Sequence, residues 1–375
     1  MSQSDPAGDR IATVGVVGAG IMGMGIAEVL ARSGLQVVVG DLGEEVVARG
    51  LGRLDASLAK AAARGMLAAD EQAVVRQRVR GAGDLGGLRG CDLVIEAASE
   101  DLAVKLDLFA ELDRLLPPDT LLASNTSSLP LARLGAATGR PDRVVGLHFF
   151  NPAPVMRLVE VVRDLRTAPE VAAAAVGFAE RLGKTPLLVG DRAGFVVNRL
   201  LCPYLNHAAV LLDQGAATRD EIDDEIRAQL GHPMGPFQLM DLIGLDTLVA
   251  VMEAIWAETR APRHAPAAVL RELTATGLLG RKAGGGFYGD PGVAGREGWL
   301  GGAGAVAALV GDYLADAAAM AGSGYASGTD LDVAMKLGCG HPEGPGELLA
   351  RLGDKAVAQD RHHPAQLRLG LARLR

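Results

Sequence analysis

A histidine and a glutamate near the middle of the chain are of the types, and at the spacing, that general-base chemistry requires. Two β-branched runs, Val144–Leu147 and Leu158–Val162, predict short buried strands, with His148 at the end of the first and Glu160 inside the second. If these strands pair as neighbours, the carboxylate reaches the imidazole, fixes its tautomer and stabilises the imidazolium that forms when it takes a proton. A glutamate inside an apolar strand needs such a partner, because burying an isolated charge is costly. Taken alone, the same two residues also fit a core histidine and a solvent-facing edge residue, so the rest of the chain has to decide.

A glycine-rich turn near the start of the chain is typical of a dinucleotide-binding site. An apolar, β-branched run leads into Gly-Ala-Gly-Ile-Met-Gly at 18–23, and a helix, a second strand and Asp41 follow. Gly18 makes the tight turn, Gly20 lets the backbone approach a pyrophosphate, and Gly23 lets the helix pack closely on the sheet. Asp41 stands 18 residues beyond Gly23, near the spacing of an acid that bonds the ribose hydroxyls, and no arginine beside it would accept a 2′-phosphate. The motif therefore predicts NAD in preference to NADP.

Polar residues follow the other predicted strands as well. Glu100 and Lys105 come after a strand at 92–97, and the hydroxyl-rich turn 124–128, which contains Ser127, follows a strand at 121–123. Because the carboxyl ends of parallel strands line the cofactor crevice of a doubly wound sheet, we expect these side chains at the edge where His148 lies. Helix capping is the alternative role for the serines of this turn. The convergence of several strand ends favours a catalytic site.

A long connection separates the second strand from the next. Residues 44–80 are rich in Ala, Arg and Leu, and the segment exceeds what one strand-to-strand crossover needs, so it predicts a helical pair broken near Gly65. Ser57, Lys60 and Arg64 share roughly one helical face. These residues could meet the phosphate of an acyl carrier, or the face could simply be solvated.

The pattern changes from strands to helices after the last strand, which predicts a Rossmann-type α/β domain followed by an all-α domain. We expect a first domain over 1–190, a helical substrate or dimerisation domain over 191–290, and a second, degenerate helical repeat over 291–375. Tyr204–Pro236 and Tyr313–Pro345 align at an offset of 109 with 12 of 33 residues identical. The second copy has Ala307 where the first has the polar Asn198, so it is expected to be a packing module. The glycine-rich stretch Asp290–Gly304 reads as a linker, and an Arg- and His-containing tail, Arg361–Arg375, follows the repeat.

Composition excludes several classes of protein. With 49% hydrophobic and 22% charged residues the chain is globular, and a formal net charge of −8 argues against a nucleic-acid partner. The three cysteines are widely scattered, which fits a reduced, cytoplasmic protein and offers no metal site. The polar start lacks the apolar core of a signal peptide, and no apolar run approaches the ~18 residues of a membrane span.

Together these motifs resemble the L-3-hydroxyacyl-CoA dehydrogenase family, of the 3-hydroxybutyryl-CoA dehydrogenase type. The resemblance covers roughly residues 10–290 and rests on GAGIMG at 18–23, EAASED at 96–101, SNTSS at 124–128, HFFNP at 148–152, LVEVV at 158–162, DRAGFVVNRLL at 191–201, HPMGP at 232–236 and GRKAGGGFY at 280–288. It implies that His148 is the catalytic base and Glu160 its orienting partner, with Ser127 and Asn198 bonding the substrate's oxygens. Contacts to NAD are implied for Gly18, Gly20, Ile21, Met22, Gly23, Asp41, Glu100, Lys105, Ser127, Asn151 and Lys282. Ser57 and Arg64 fall where the family contacts coenzyme A, although the family usually has a lysine at the second position.

The reaction that the resemblance implies is reversible hydride transfer between a 3-hydroxyacyl-CoA thioester and its 3-ketoacyl form. The alternative keeps the chemistry but takes a hydroxyacyl or glyceryl group bound to an acyl carrier protein, as in extender-unit biosynthesis. A non-catalytic NAD-binding protein is a third reading, which the presence of the whole polar set disfavours. The expected assembly is a homodimer, in which the repeat either fills the place of a partner's helices or forms part of the interface.

Overall fold

The computed structural model describes residues 11–289, 293, 298–353, 356 and 364–374. The chain divides into two compact units, Met1–Arg192 and Ala193–Arg375. The sequence predicted a third domain over 291–375. Its described residues belong to the second unit, together with the predicted second domain. Within the linker expected over Asp290–Gly304, residues 290–292 and 294–297 lie outside the described residues, and the last four, 301–304, are wrong as linker because they begin a long helix of apolar residues. Residues 361–363 and 375 of the expected tail also lie outside the described residues.

The described residues of the first unit form one eight-stranded sheet, in the order β3-β2-β1-β4-β5-β6-β7-β8. Its strands are β1 (Thr13–Val17), β2 (Gln36–Gly40), β3 (Val79–Ala82), β4 (Leu93–Glu96), β5 (Leu121–Ser124), β6 (Val144–Phe149), β7 (Leu158–Arg163) and β8 (Thr185–Gly190). Its helices are α1 (Ile21–Arg32), α2 (Glu44–Ala63), α3 (Ala69–Gln77), α4 (Leu102–Leu115), α5 (Leu131–Ala136) and α6 (Pro169–Arg181). Neighbouring strands are parallel except β6 and β7, which run antiparallel. The predicted Rossmann-type fold is confirmed.

The strands at the centre of this sheet are buried on both faces. All six residues of β6 are buried, as are the last four of β1, which is why these segments read as continuous apolar runs. Because β1, β4, β5 and β6 are parallel, their carboxyl ends meet at one edge of the sheet, and the turns that follow them carry the polar residues described below.

The segment 44–80 differs from its prediction at one end. The helical pair is present as α2 and α3, with the break at the glycine turn, but Val79–Ala82 forms strand β3, which pairs with β2 in parallel. A four-residue strand that follows Arg78 and contains Arg80 carries no alternation long enough to identify it. Its pairing with β2 supplies the structure that the local sequence does not specify.

The second unit is mainly helical over its described residues. Its helices are α7 (Val197–Asp213), α8 (Arg219–Leu230), α9 (Pro236–Ile243), α10 (Leu245–Thr259), α11 (Ala268–Ala275), α12 (Gly301–Gly322), α13 (Gly328–Cys339), α14 (Pro345–Leu352) and α15 (Pro364–Leu374). Helix α12 is long and apolar enough to cross a membrane, but half of it or more is buried, as in the core helix of a folded domain. The helical domain that the sequence predicted is confirmed.

Candidate active site

His148 and Glu160 face each other across the antiparallel pair β6 and β7, where they are direct register partners. The ring atom Nδ1 lies 2.7 Å from Glu160 Oε2, and both side chains are buried. A carboxylate only accepts hydrogen bonds, so Nδ1 carries the hydrogen of this contact. The Phe150 ring packs at a centroid distance of 4.5 Å on the imidazole. Strand pairing and ring packing thus fix the orientation of the imidazole.

The turn after β5 is tied to the end of β6 by Asn125, a residue that the sequence did not single out. The side-chain Oδ1 of Asn125 accepts a hydrogen bond from the Phe149 backbone amide at 2.8 Å. The backbone amide of Asn125 donates to the Glu96 backbone carbonyl at 2.7 Å. The contact with Phe149 joins the serine-rich turn to the residue that follows His148. The pairing of β5 with β6 brings the two motifs together, and nothing in their separate spacings shows it.

Glu100 organises the serine-rich turn. Its Oε1 accepts hydrogen bonds from the Thr126 hydroxyl at 2.6 Å, the Ser127 amide at 2.9 Å and the Ser128 amide at 3.1 Å. Burial alone would raise the pKa of Glu100, but the Lys105 ammonium and these hydrogen bonds outweigh it, so the pKa lies below its ordinary value. Glu100 is therefore an ionised anchor that holds Ser127, whose side chain stays partly exposed at the sheet edge.

The turn between β1 and α1 fits the pyrophosphate of a dinucleotide. A Cβ on Gly18, which has a φ of +105°, would lie 2.5 Å from the Ala97 carbonyl oxygen, and one on Gly23 would lie 1.8 Å from the Gly18 carbonyl oxygen. A Cβ on Gly20, by contrast, would meet nothing within 4 Å, which leaves open space in front of the turn. The first amides of α1, those of Ile21 and Met22, are at a helix N-terminus, where anions bind well.

Asp41 follows β2 directly and also contacts this turn. Its Oδ2 accepts a hydrogen bond from the Ala19 amide at 2.7 Å, and its Oδ1 accepts one from Leu42 at 2.7 Å. The carboxylate is thus fixed beside the phosphate-binding turn, where a ribose would meet it. The glycine turn, the helix N-terminus and this acid together suit NAD.

A pocket of about 220 Å³ lies between α1, α2 and the turn that follows β6. It is lined by Ser57 and Asn151, for which the sequence predicted contacts to coenzyme A and NAD, and by Glu28 and Arg53, which it did not identify. The Ser57 hydroxyl donates to Glu28 Oε2 at 2.6 Å. Arg64 is exposed at the C-terminal end of α2, two turns beyond Ser57.

Two of the predicted site residues belong to the second unit. Asn198 is in the first turn of α7 and is partly exposed. Lys282 Nζ lies 2.6 Å from Asp246 Oδ1. The pKa of Asp246 lies below its ordinary value. Burial would raise this pKa, but the contacts with Lys282 and with backbone amides outweigh burial. The remaining predicted residues are in the first unit, where strand pairing and hydrogen bonds bring His148, Glu160, Glu100, Lys105 and Ser127 to one edge of the sheet.

Comparison with known proteins gives one consistent family. Residues 13–192 match the 3-hydroxyacyl-CoA dehydrogenase NAD binding domain, and residues 194–290 and 305–366 match the 3-hydroxyacyl-CoA dehydrogenase C-terminal domain. A probable 3-hydroxybutyryl-CoA dehydrogenase of Deinococcus radiodurans is 45% identical over 73% of this chain and 98% of its own length. A 3-hydroxybutyryl-CoA dehydrogenase of Mycobacterium tuberculosis is 46% identical over 75% of this chain and 99% of its own length. The crystal structure of 3-hydroxybutyryl-CoA dehydrogenase from Escherichia coli superposes with a TM-score of 0.86 at 31% identity and covers 97% of this chain and 98% of that one.

Proposed function

The chain belongs to the 3-hydroxyacyl-CoA dehydrogenase family and is an NAD-dependent oxidoreductase, and on that premise we propose that His148 and Glu160 perform its proton transfer. The observation that carries the proposal is the 2.7 Å contact between His148 Nδ1 and the buried Glu160 carboxylate. With the hydrogen on Nδ1, Nε2 is the ring nitrogen that takes the proton of the substrate's 3-hydroxyl group. Glu160 stabilises the positive charge that develops on the ring, and it does so where water does not screen it.

NAD, when bound, supplies the hydride acceptor. The protein's own contribution is to hold the alcohol in place and remove its proton. Ser127 and Asn198 are the polar side chains that we propose for the substrate's hydroxyl and thioester carbonyl oxygens. Ser127 is supported by the hydrogen bonds of its turn to Glu100, so its position requires no rearrangement when substrate binds.

For the substrate we propose a short-chain 3-hydroxyacyl-CoA. Several relatives are named 3-hydroxybutyryl-CoA dehydrogenases, which favours a four-carbon acyl group. The pocket lined by Ser57 and Arg53 would take the pantetheine arm, and Arg64, exposed further along α2, would face the nucleotide end of coenzyme A.

A carrier-protein thioester is the alternative substrate, and one observation favours it. Glu28 lines the pocket beside Ser57, and its carboxylate would disfavour the phosphates of the nucleotide end of coenzyme A, which a carrier protein's thioester arm lacks. Arg32 offsets part of that charge, at 3.2 Å from Glu28 Oε1. Comparing turnover of a 3-hydroxyacyl-CoA with that of the same acyl group on a carrier protein separates the two substrates.

We also infer that the protein works in a reducing compartment such as the cytoplasm. Cys91 and Cys202 are free thiols, and both are buried. The homodimer that the resemblance implies stays a prediction, and the packing of the two helical repeats described in the Discussion bears on it.

The substitution His148→Gln tests the proposed function. A glutamine cannot take the proton, so we expect kcat to fall by about 10²–10⁴-fold. The dissociation constant for NADH, followed by its fluorescence, should stay within about twofold, because His148 is not proposed to hold the cofactor. His207→Gln, on α7, is the matched control and should leave kcat unchanged. Near-native turnover by the His148 variant on every thioester tried would exclude His148 as the base.

A further inference from the structure

A second glutamate, Glu96, is as deeply buried as Glu160 and has no role in the proposed proton transfer. It ends strand β4, at the sheet edge that carries the site, and its side chain is 0% exposed. Its Oε1 accepts hydrogen bonds from Lys105 Nζ at 2.5 Å and from the Ala98 amide at 2.7 Å, and its Oε2 accepts one from the Ser124 hydroxyl at 2.6 Å. Three donors therefore hold the carboxyl group of Glu96, as a fully buried polar group requires.

Lys105 is the central member of that network. Its side chain is 1% exposed, and Nζ lies 3.3 Å from Glu100 Oε2 in addition to its contact with Glu96. The ammonium therefore bridges two carboxylates. Glu100 in turn binds the amides of Ser127 and Ser128 through its other oxygen. A continuous chain of two hydrogen bonds and one ion pair therefore runs from Glu96 through Lys105 and Glu100 to the backbone of Ser127.

We propose that Glu96 is a positioning residue, which sets the place of Ser127 through Lys105 and Glu100. This inference rests on the proposed function, in which Ser127 contacts the substrate. It also gives Lys105 a supporting role beneath the site.

The physical argument concerns the balance of charge around Lys105. In the native network two carboxylates share one ammonium, which holds Nζ between them. If Glu96 is made neutral, Lys105 keeps one anionic partner and is drawn toward Glu100 Oε2, because a buried ammonium is costly without a counter-ion. Glu100 then turns, and its Oε1 loses its alignment with the amides of Ser127 and Ser128. A glutamine at this position has one acceptor oxygen in place of two, so it cannot accept from both Ser124 and the Lys105 and Ala98 donors.

The test is Glu96→Gln, which keeps the size of the side chain and removes its charge. We expect kcat to fall by about 10–100-fold, with KM changed by less than about threefold, since the group that orients the substrate moves. Amide hydrogen exchange of Ser127 and Ser128 should become at least tenfold faster, and this readout does not depend on turnover. Unchanged exchange together with kcat within twofold of the wild type overturns the proposal.

Asp164→Asn is the matched control. Asp164 is also a buried acid that binds backbone amides, those of Arg166 and Thr167, but it follows the antiparallel strand β7 and so lies at the opposite edge of the sheet. We expect it to lower the melting temperature by an amount comparable to Glu96→Gln and to leave kcat and the exchange of Ser127 unchanged. Equal losses of kcat in the two variants would mean that Glu96 acts on stability alone.

Two further variants separate a loss of stability from a loss of the position of Ser127. Glu96→Gln/Lys105→Met removes the stranded ammonium and should restore much of the melting temperature, but not kcat, because Glu100 has also lost its cation. Recovery of kcat together with stability would show a purely structural role. If Glu96→Gln does not fold, Ser124→Ala removes one contact to Glu96, together with the hydrogen bond that the Ser124 hydroxyl accepts from the Thr126 amide. A three- to tenfold fall in kcat with faster Ser127 exchange is then expected. Wild-type turnover of 3-hydroxyacyl thioesters is measured first, so a failure of the proposed function is seen separately from a failure of this inference.

Discussion

At the scale of single residues, the proposed proton transfer depends most strongly on the charge of Glu160. It is 0% exposed and its carboxylate contacts His148, so in the proposed mechanism this acid is the partner of the imidazolium that forms during turnover. In Glu160→Gln the amide keeps the hydrogen bond but not the charge, so the transition state loses more than the ground state does. We expect kcat to fall by about 100-fold or more and KM to change by less than threefold. Steady-state kinetics checks this, with Glu180→Gln on the surface of α6 as the control; a change confined to KM would contradict it.

At the same scale, Asp41 is the residue that we propose to favour NAD over NADP. Its carboxylate is fixed at the phosphate-binding turn by the amides of Ala19 and Leu42, and a 2′-phosphate placed there would be repelled. We expect Asp41→Ala to weaken NAD binding. The ratio of the affinity for NAD to the affinity for NADP should fall by about tenfold. Titration of both reduced cofactors measures the ratio. Asp55→Ala, an exposed position on α2, is the control, and a ratio that does not change would remove Asp41 from this role.

Single residues also show what the sequence alone could predict about the site. Glu160 was identifiable because a charged residue in an apolar strand needs a partner, and its pairing with His148 followed from two short strands with a turn between them. Glu96 stands in an equally apolar strand, Leu-Val-Ile-Glu, and gives the same signal. Its partners are Lys105 on α4 and Ser124 on β5, brought together by the parallel pairing of β4 with β5. That contact has no local pattern, so the network was not predicted.

At the scale of elements, the sequence predicted glycine turns that end a helix. It did not predict a glycine turn after which a second helix begins at once in a new direction. The run Leu239–Thr259 reads as one apolar helix, yet it is divided into α9 and α10 at Gly244, which has a φ of +101°. Leu245 resumes the helix at once, so the periodicity continues across the break. The turn places Lys282 next to Gly244 and Asp246. A backbone conformation that glycine alone adopts easily is therefore what sets the direction of this pair of helices.

The two His-Pro turns before α9 and α14 should make the second unit sensitive to acid. The rings of His232 and His341 stack at 3.9 Å, and burial lowers the pKa of His232 to about 4. Burial, with the neighbouring ring, lowers the pKa of His341 to about 3. Both values lie below the ~6.5 of an unfolded histidine, so the unfolded state binds more protons between these limits. The stacked pair stabilises the fold fully above pH 6.5, and this contribution is lost as the pH falls toward 4.

This effect has a measurable slope. Each of the two histidines should reduce the free energy of unfolding by about 1.4 kcal/mol per pH unit below 6.5. Urea unfolding of the wild type and of His341→Asn between pH 7 and 4.5 measures it, and the variant should show the smaller dependence on pH. Asp223 and Asp332, whose pKa values are raised by burial, titrate in both proteins, so the difference between them isolates the histidine. Parallel curves would show that His341 is not buried in its neutral form.

At the scale of the whole molecule, the internal repeat was visible in the sequence, but the way its copies meet was not. Helices α8 and α13, and likewise α9 and α14, begin and end at the same offset of 109 residues that aligns the two segments. Asp223 and Asp332 cap the equivalent helices α9 and α14 by accepting hydrogen bonds from their first amides. The position of Asn198 is held by Ala307 on α12, so the second copy lacks the polar group proposed for the substrate.

The two copies of the repeat pack against each other through equivalent residues. Tyr204 contacts Tyr313 at a centroid distance of 5.7 Å, and His232 stacks on His341. Contact between equivalent residues is the signature of an interface with twofold symmetry, which in other proteins joins two identical subunits. Of the two roles considered for the repeat, this geometry favours the one in which it takes the place of a partner's helices. The face of α7 around Tyr204 is then satisfied within one chain.

The prediction that follows concerns mass in solution. If the chain is ended after Gly289, the buried side of α7 around Tyr204 loses α12 and becomes an exposed apolar surface, which proteins commonly cover by association. We expect light scattering to show the shortened chain at twice its own mass, or aggregated, whereas the full chain makes no self-association through this surface. Tyr204→Arg in the shortened chain should return it to a monomer, because a charge at the centre of a twofold interface faces its own copy. A shortened chain that is monomeric without this substitution would show that the second repeat does not replace a partner.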